Sequence, residues 1–272
     1  MRLIATALGR ATHTETGMDT PVTPSAVRER VSPEEWSLRV ELAACYRLLA
    51  HYGANDLALN HLSARVPGEP QHLLIKPPNL MFEEVTASSL LKFDFDGNPR
   101  QDSPRLRGGG LVIHAGVLAA RPDLHAVFHT HTPANMGVSS QKHGLLMINQ
   151  HAATFYGRVA YHTFGGFEFD MAQRAPLLES LGTQSIMLLR NHGVLVCGES
   201  VADAFFEHHY MEMACKGQIN ALAGGAECTL IDEAVCRHAL EQAQSPDRLA
   251  NRARSWATCL RQADRLDPGY RD

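Results

Sequence analysis

The sequence predicts an α/β fold, a β-sheet with helices on both sides followed by a mostly helical tail. Three observations carry that reading. Short apolar runs of strand length, such as Ala126-Val127-Phe128 and the stretch 185–189, alternate with segments whose apolar residues recur at helical spacing. Capping residues mark helix starts, and prolines and glycines mark turns. From about residue 200 onward the chain reads as successive helices. At 272 residues, 44% of them hydrophobic, it can bury one sizeable core.

Residues 1–30 are polar and read as a flexible N-terminal arm, 31–225 as the main domain and 226–272 as a helical C-terminal extension. Ser32-Pro33-Glu34-Glu35 opens the first helix. Ser32 caps it, Pro33 occupies the first turn and Glu35 is placed to close a capping box. Trp36, Val40, Ala43, Ala44, Leu48 and Leu49 keep helical spacing to about His51, and Gly53 ends the helix. Strands are expected at 62–66 and 71–75. Lys76-Pro77-Pro78-Asn79 is a turn, because proline brings no N–H to a ladder. A short helix at 86–91, a strand at 91–95 and a hairpin-type turn at Asp96-Gly97-Asn98 follow. The polar stretch 101–110 ends in Gly108-Gly109-Gly110, and a helix at 111–120 stops at Arg121-Pro122-Asp123. Next are expected a strand at 126–128, a helix at 133–140, strands at 145–148 and 159–161, a helix at 172–181, and strands at 185–189 and 194–196. Ser200-Val201-Ala202-Asp203 caps a long helix to about Leu222, and 229–243 and 246–265 are further helices.

A formal charge of -4 and a pI of about 6.4, with no basic stripe, exclude a nucleic-acid partner. The six cysteines are scattered without a CxxC pair, which points to reduced thiols and a cytoplasmic location. The first 25 residues hold no signal-peptide pattern, and no run reaches the roughly 18 apolar residues of a membrane span, so no membrane partner is expected.

His129 and His131 stand two apart at the end of an apolar strand, where alternate side chains face the same way, so both imidazoles can converge on one ion. His192 follows a second apolar strand in Asn191-His192-Gly193. It reads either as part of a polar turn or as a third imidazole carried to the first two by neighbouring strands. Three nitrogen ligands leave a position open for water or substrate.

Several stretches, in order, resemble the class II aldolase/adducin family: Asn60-His61-Leu62-Ser63-Ala64-Arg65, Leu74-Ile75-Lys76-Pro77-Pro78, Thr86-Ala87-Ser88-Ser89-Leu90 with Asp94-Phe95-Asp96-Gly97, Ile113-His114, Ala120-Arg121-Pro122-Asp123, Ala126-Val127-Phe128-His129-Thr130-His131-Thr132-Pro133, and Leu188-Leu189-Arg190-Asn191-His192-Gly193-Val194 with Gly198-Glu199-Ser200. The resemblance spans about residues 35–225. It implies a three-layer αβα fold with a central mixed, mostly antiparallel sheet, and a homotetramer with active sites near subunit interfaces. It also implies a divalent ion on His129, His131 and His192, zinc foremost, with Fe2+, Mn2+ or Co2+ as alternatives.

The departures from the family's pattern bear on substrate. Its sugar-phosphate aldolases carry Ser-Ser-Glu ahead of the helix histidine that matches His114, and this chain has Gly108, Gly109 and Gly110 there. Their Gly-Asn is Asn60-His61 here, and their Thr-Pro-Ser-Gly is Lys76-Pro77-Pro78-Asn79. The usual acid/base and most of the phosphate cradle are therefore missing. The chain is more similar to the adducin-like branch, which includes the adducin head domain and bacterial members acting on aromatic oxo acids, one of them a non-haem iron oxygenase. The basic tail of adducins is absent.

His61, with an ordinary pKa near neutrality, is the candidate replacement acid/base, and His114 the second catalytic candidate. Asn60, Lys76 and the amides of Gly108, Gly109 and Gly110 are the candidate substrate contacts. Lys76 could pair with a carboxylate, and the glycines would leave room for a flat ring. His151 and His162, with Tyr156 and Tyr161 near them, could line the pocket but read first as structural, and His208 and His209 sit mid-helix, where only one can face inward. The leading function is a metal-dependent lyase that breaks a C–C bond, by aldol cleavage or decarboxylation, in a small non-phosphorylated oxo or hydroxy acid. The alternatives are a non-haem Fe(II) oxygenase and a non-enzymatic adducin-like scaffold.

Overall fold

The computed structural model describes residues 24–101, 103–167 and 170–272. Most of the expected N-terminal arm, residues 1–23, lies outside them, and Pro24–Arg28 forms a short helix, α1. Helix α2 spans Pro33–His51, with Ser32 Oγ accepting from Glu35 N–H. Glu35 does not turn back to close a capping box. Its carboxylate is buried and pairs with Arg39 and Lys92, because a charge inside the core needs counter-charges more than the helix end needs a second cap.

Among the described residues seven strands follow: β1 His61–Val66, β2 Glu69–Ile75, β3 Leu91–Asp94, β4 Ala126–Thr130, β5 Val159–His162, β6 Ile186–Leu189 and β7 Gly193–Gly198. They form one sheet in the order β3-β2-β1-β4-β7-β6-β5, antiparallel throughout except for the β5–β6 pair. The remaining helices are α3 Gly116–Ala120, α4 Pro133–Ser140, α5 Gln150–Ala153, α6 Arg174–Leu181, α7 Val201–Leu222, α8 Glu233–Ala243 and α9 Pro246–Leu266.

Side-chain alternation assigns the two faces of the sheet. On one face, Leu62, Ala64, Ala126 and Phe128 pack with α2, α7 and α9, and Ile186, Leu188, Val194 and Val196 pack with α4, α5 and α7. On the other, Val127, Met187, Leu189, Leu195 and Cys197 pack against Ile113, Val117, Leu177 and Leu181 of the helical segments around α3 and α6. The central strands are buried on both sides and therefore read as unbroken apolar runs. The three-layer arrangement and the mixed, mostly antiparallel sheet agree with expectation. No helix among the described residues is long and apolar enough to cross a membrane. All six cysteines are free thiols.

Three local expectations fail. Residues 86–90 form a turn rather than a helix, and Leu91 opens β3. Arg39 takes the carbonyls of Ala87 and Leu90, and the N–H groups of Ala87 and Ser88 bond to Tyr270 and Asp272 at the chain's end. Residues 145–148 are not a strand, since Gln218 and Tyr161 side chains take the N–H groups of Leu146 and Leu145. The helix expected at 111–120 begins earlier, at Gly108, and Gly110–Ala115 is a wider π-helical turn. Arg174 bonds the carbonyl of Leu111 within that turn.

Thr130, between the two histidines, points to the opposite face, where its hydroxyl meets His208 Nε2 of α7 at 2.7 Å. Burial drives the His208 pKa down to about 3. An unfolded histidine binds its proton near pH 6.5, so His208's contribution is complete above that value and is lost as pH falls toward 3. Urea unfolding of metal-free protein should show stability falling below pH 6.5, with His208 contributing up to about 1.4 kcal/mol per pH unit. His208→Gln should flatten that slope; an unchanged slope would refute the assignment.

Candidate metal centre

Strands β1, β4 and β7 build the site on the face that carries α3. His61 of β1 pairs directly across from His129 of β4, and β7 flanks β4 on the other side with Leu195 opposite His129. His131 lies one residue past the end of β4, and His192 one residue before β7. Asn191 supplies the tight entry to β7 with a φ of +59°, a left-handed conformation that asparagine tolerates better than most residues. Gly193 is required for a different reason. A Cβ there would stand 2.4 Å from the carbonyl oxygen of Thr130.

The three imidazoles converge. His131 Nε2 lies 2.9 Å from His129 Nε2 and 3.0 Å from His192 Nε2, and the ligand atoms all lie within 4.8 Å of one another. His129 Nδ1 is 2.9 Å from the carbonyl oxygen of Val194. A carbonyl only accepts, so Nδ1 carries the proton and Nε2 presents its lone pair to the other rings. Tetrahedral ligation with bonds of about 2.0–2.1 Å needs nitrogens roughly 3.4 Å apart, close to what the rings already provide. Burial first, then the neighbouring imidazoles, hold His129 well below the usual histidine pKa, so it is neutral and ready to ligate at pH 7. The donor set fits a divalent cation.

Beside the triad runs a second chain of polar groups. His61 Nδ1 contacts His114 Nε2 at 2.7 Å, and His114 Nδ1 contacts Ser63 Oγ at 2.5 Å. The π-helical turn presents His114 to this chain. His61 Nε2 makes no hydrogen bond to the described residues and stays available to a ligand, with its ring centroid 5.3 Å from that of His129. Burial pushes His61 well below its ordinary pKa and His114 down to about 3.

The volume expected beside the glycines is taken. A Cβ on Gly109 would stand 3.1 Å from His61 Nε2, and one on Gly110 would meet Leu106 Cδ1 at 2.6 Å. The flat ring that fills the space at Gly109 belongs to His61 itself. Asn60 is fully buried, its amide donating to Ala54 O and accepting from His131 N–H. Lys76 is buried and donates to the carbonyls of Ala58, Pro77 and Leu80, and burial lowers its pKa to about 8.

Sequence reasoning passed over Ser63, Asp56 and Phe164. Ser63 carried a usable signal, since it lies two residues from His61 on one strand and so shares its face. Asp56 Oδ2 lies 3.3 Å from His131 Nδ1, and the Phe164 ring packs edge-on 5.9 Å from His192. Both come from loops whose course no periodicity reveals.

Elemental analysis should find one divalent ion per chain after dialysis against metal, and His129→Ala, His131→Ala or His192→Ala should each lose most of it. Full retention in all three variants would show that the ion binds elsewhere.

Comparison with known proteins identifies the family. Residues 40–219 match the model of the class II aldolase and adducin N-terminal domain. A protein of Pseudomonas aeruginosa named for the class 2 aldolases is 40% identical over 258 residues, covering 91% of this chain and 97% of its own. Rat alpha-adducin is 39% identical over 213 residues, which cover 76% of this chain but only 29% of adducin. The crystal structure of an aldolase II superfamily protein from Pseudomonas syringae superposes with a TM-score of 0.85 at 44% identity, over 91% of this chain and 100% of that one. The chain belongs to the class II aldolase and adducin N-terminal domain family.

Proposed function

We propose that this chain is a divalent-metal-dependent lyase that breaks a C–C bond in a small non-phosphorylated oxo or hydroxy acid, by aldol cleavage or decarboxylation. The observation that carries the reading is the convergence of three imidazole nitrogens beside the uncommitted Nε2 of His61. The bound ion, zinc in this proposal, would polarise a substrate carbonyl and stabilise the negative charge that develops on its oxygen.

The chain's own residues handle the proton. In the aldol case, His61 Nε2 takes the proton of the substrate hydroxyl as the C–C bond breaks. The hydroxyl carbon becomes a carbonyl, and the bonding electrons pass to the neighbouring carbon and its carbonyl oxygen. The imidazolium then returns the proton to that carbon. Burial keeps His61 neutral at pH 7, the form in which Nε2 can accept a proton. His114 holds the His61 ring through Nδ1 and is itself held by Ser63, which leaves His61 Nε2 for the proton.

Two observations favour a non-phosphorylated acid. A phosphate dianion leaving water needs several donors. Lys76 already gives its three N–H groups to backbone carbonyls, and the side chains that would cradle phosphate are replaced by glycine and His61. A carboxylate and its neighbouring oxygen, which could together bind the metal, would ask less of the protein, with the amides of Gly108, Gly109 and Gly110 as further donors. The proposal includes a homotetramer working in the cytoplasm, supported by six free thiols and by exposed Phe164 and Phe167 near the site.

Metal-loaded protein should turn over 2-oxo or 2-hydroxy acids without phosphate, and His61→Gln should lower kcat by about 10²–10⁴. Efficient cleavage of a ketose 1-phosphate, lost when its phosphate is removed, would overturn the substrate assignment. Oxygen consumption with Fe(II) but not with zinc would overturn the lyase.

A further inference from the structure

We infer that Asp56 is a positioning residue for the metal centre, holding His131 as a ligand through its Nδ1, and that the loop 54–60 is built to keep it there. The inference rests on the metal reading of the triad. Asp56 Oδ2 lies 3.3 Å from His131 Nδ1. An ionised carboxylate only accepts, so Nδ1 carries the ring proton and Nε2 turns its lone pair toward His129 and His192. A carboxylate behind a ligating imidazole fixes ring orientation and raises its basicity.

The backbone around Asp56 argues that this contact is built rather than incidental. Leu57 has a φ of +45°, a left-handed conformation that a branched, non-glycine residue keeps only where its surroundings impose it. Those surroundings are visible. Leu59 N–H donates to Asp56 O at 2.9 Å and closes a tight turn around Leu57. Asn60 ties the two ends together, donating to Ala54 O at 2.9 Å and accepting from His131 N–H at 3.0 Å. Lys76 Nζ holds the middle, donating to Ala58 O at 2.7 Å, and anchors it to the next turn through Leu80 O at 2.8 Å. One short loop therefore fixes both the backbone and the ring of His131. Asn60 and Lys76, which the sequence suggested as substrate contacts, serve that loop.

The alternative is a half-exposed surface acid that merely lies near an imidazole, a contact of little consequence in water. Zinc affinity decides between them, measured by competition with a chromogenic chelator on wild type, Asp56→Asn, Asp56→Ala and Leu59→Ser. Leu59→Ser alters an exposed side chain of the same loop and serves as the control. The expected result is zinc binding weakened about 10–100-fold in both Asp56 variants and unchanged in Leu59→Ser. The visible spectrum of the Co2+-loaded Asp56 variants should shift, while the melting temperature of the metal-free proteins stays at the wild-type value. Wild-type affinity in Asp56→Asn would overturn the inference, as would an equal loss in Leu59→Ser. Turnover plays no part in this test, so a failed assay for lyase activity does not touch it. A wild-type protein that takes up no zinc would overturn the metal centre and this inference with it.

Discussion

Strand β4 pairs with β7 so that His129 lies opposite Leu195 and Thr130 opposite Val194. The functional reading depends on that register. Because side chains alternate along a strand, it sends His129 to the face shared with His61 and His114 and sends Thr130 to the face covered by α7. A slip of one residue would exchange them, aiming an imidazole at α7 and a hydroxyl at the triad. The apolar alternation of Val127, Leu195 and Cys197 against Ala126, Phe128, Val194 and Val196 makes such a slip costly, since it would turn both core-facing sets over together. The same antiparallel pairing brings the chain into β7 through Asn191 and His192 at the end of the sheet where β4 runs out into His131.

Burying this many imidazoles is unfavourable unless each finds a partner. Ser63, His114 and His61 satisfy one another in a row, and Val194 O receives the proton of His129. The Nε2 atoms of His129, His131 and His192 converge at 2.9–3.0 Å, a spacing that one cation bound to all three lone pairs would also satisfy. Burial keeps His61, His114 and His129 neutral at pH 7, the form a metal or a substrate proton requires. On the face away from the metal, Thr130 pairs with Nε2 of the buried His208.

Much of this was legible in the sequence. Caps and periodicity placed α2 and α7, and the spacing of His129, His131 and His192 at strand ends anticipated their meeting. What escaped was set by contacts between distant segments. Glu35 looked like a capping residue and became a buried counter-ion, because Lys92 lies far away in sequence. Residues 86–91 had helical composition, but Arg39 and the C-terminal residues claimed their backbone groups. Gly109 suggested empty space, and only the fold shows that His61, from a strand far upstream, fills it. Asp56 lies in a loop without period, and its neighbour's left-handed backbone is invisible in a leucine.

The central claim is that three imidazoles of this chain hold one divalent ion. X-ray absorption at the metal edge of zinc-loaded protein tests it most directly. The account predicts an inner shell of nitrogen or oxygen at about 2.0–2.1 Å, with the outer-shell multiple scattering of about three imidazole rings, and loss of one ring's contribution in His192→Ala. An inner shell of oxygen alone, without imidazole scattering, or a spectrum unchanged by that substitution, would contradict it.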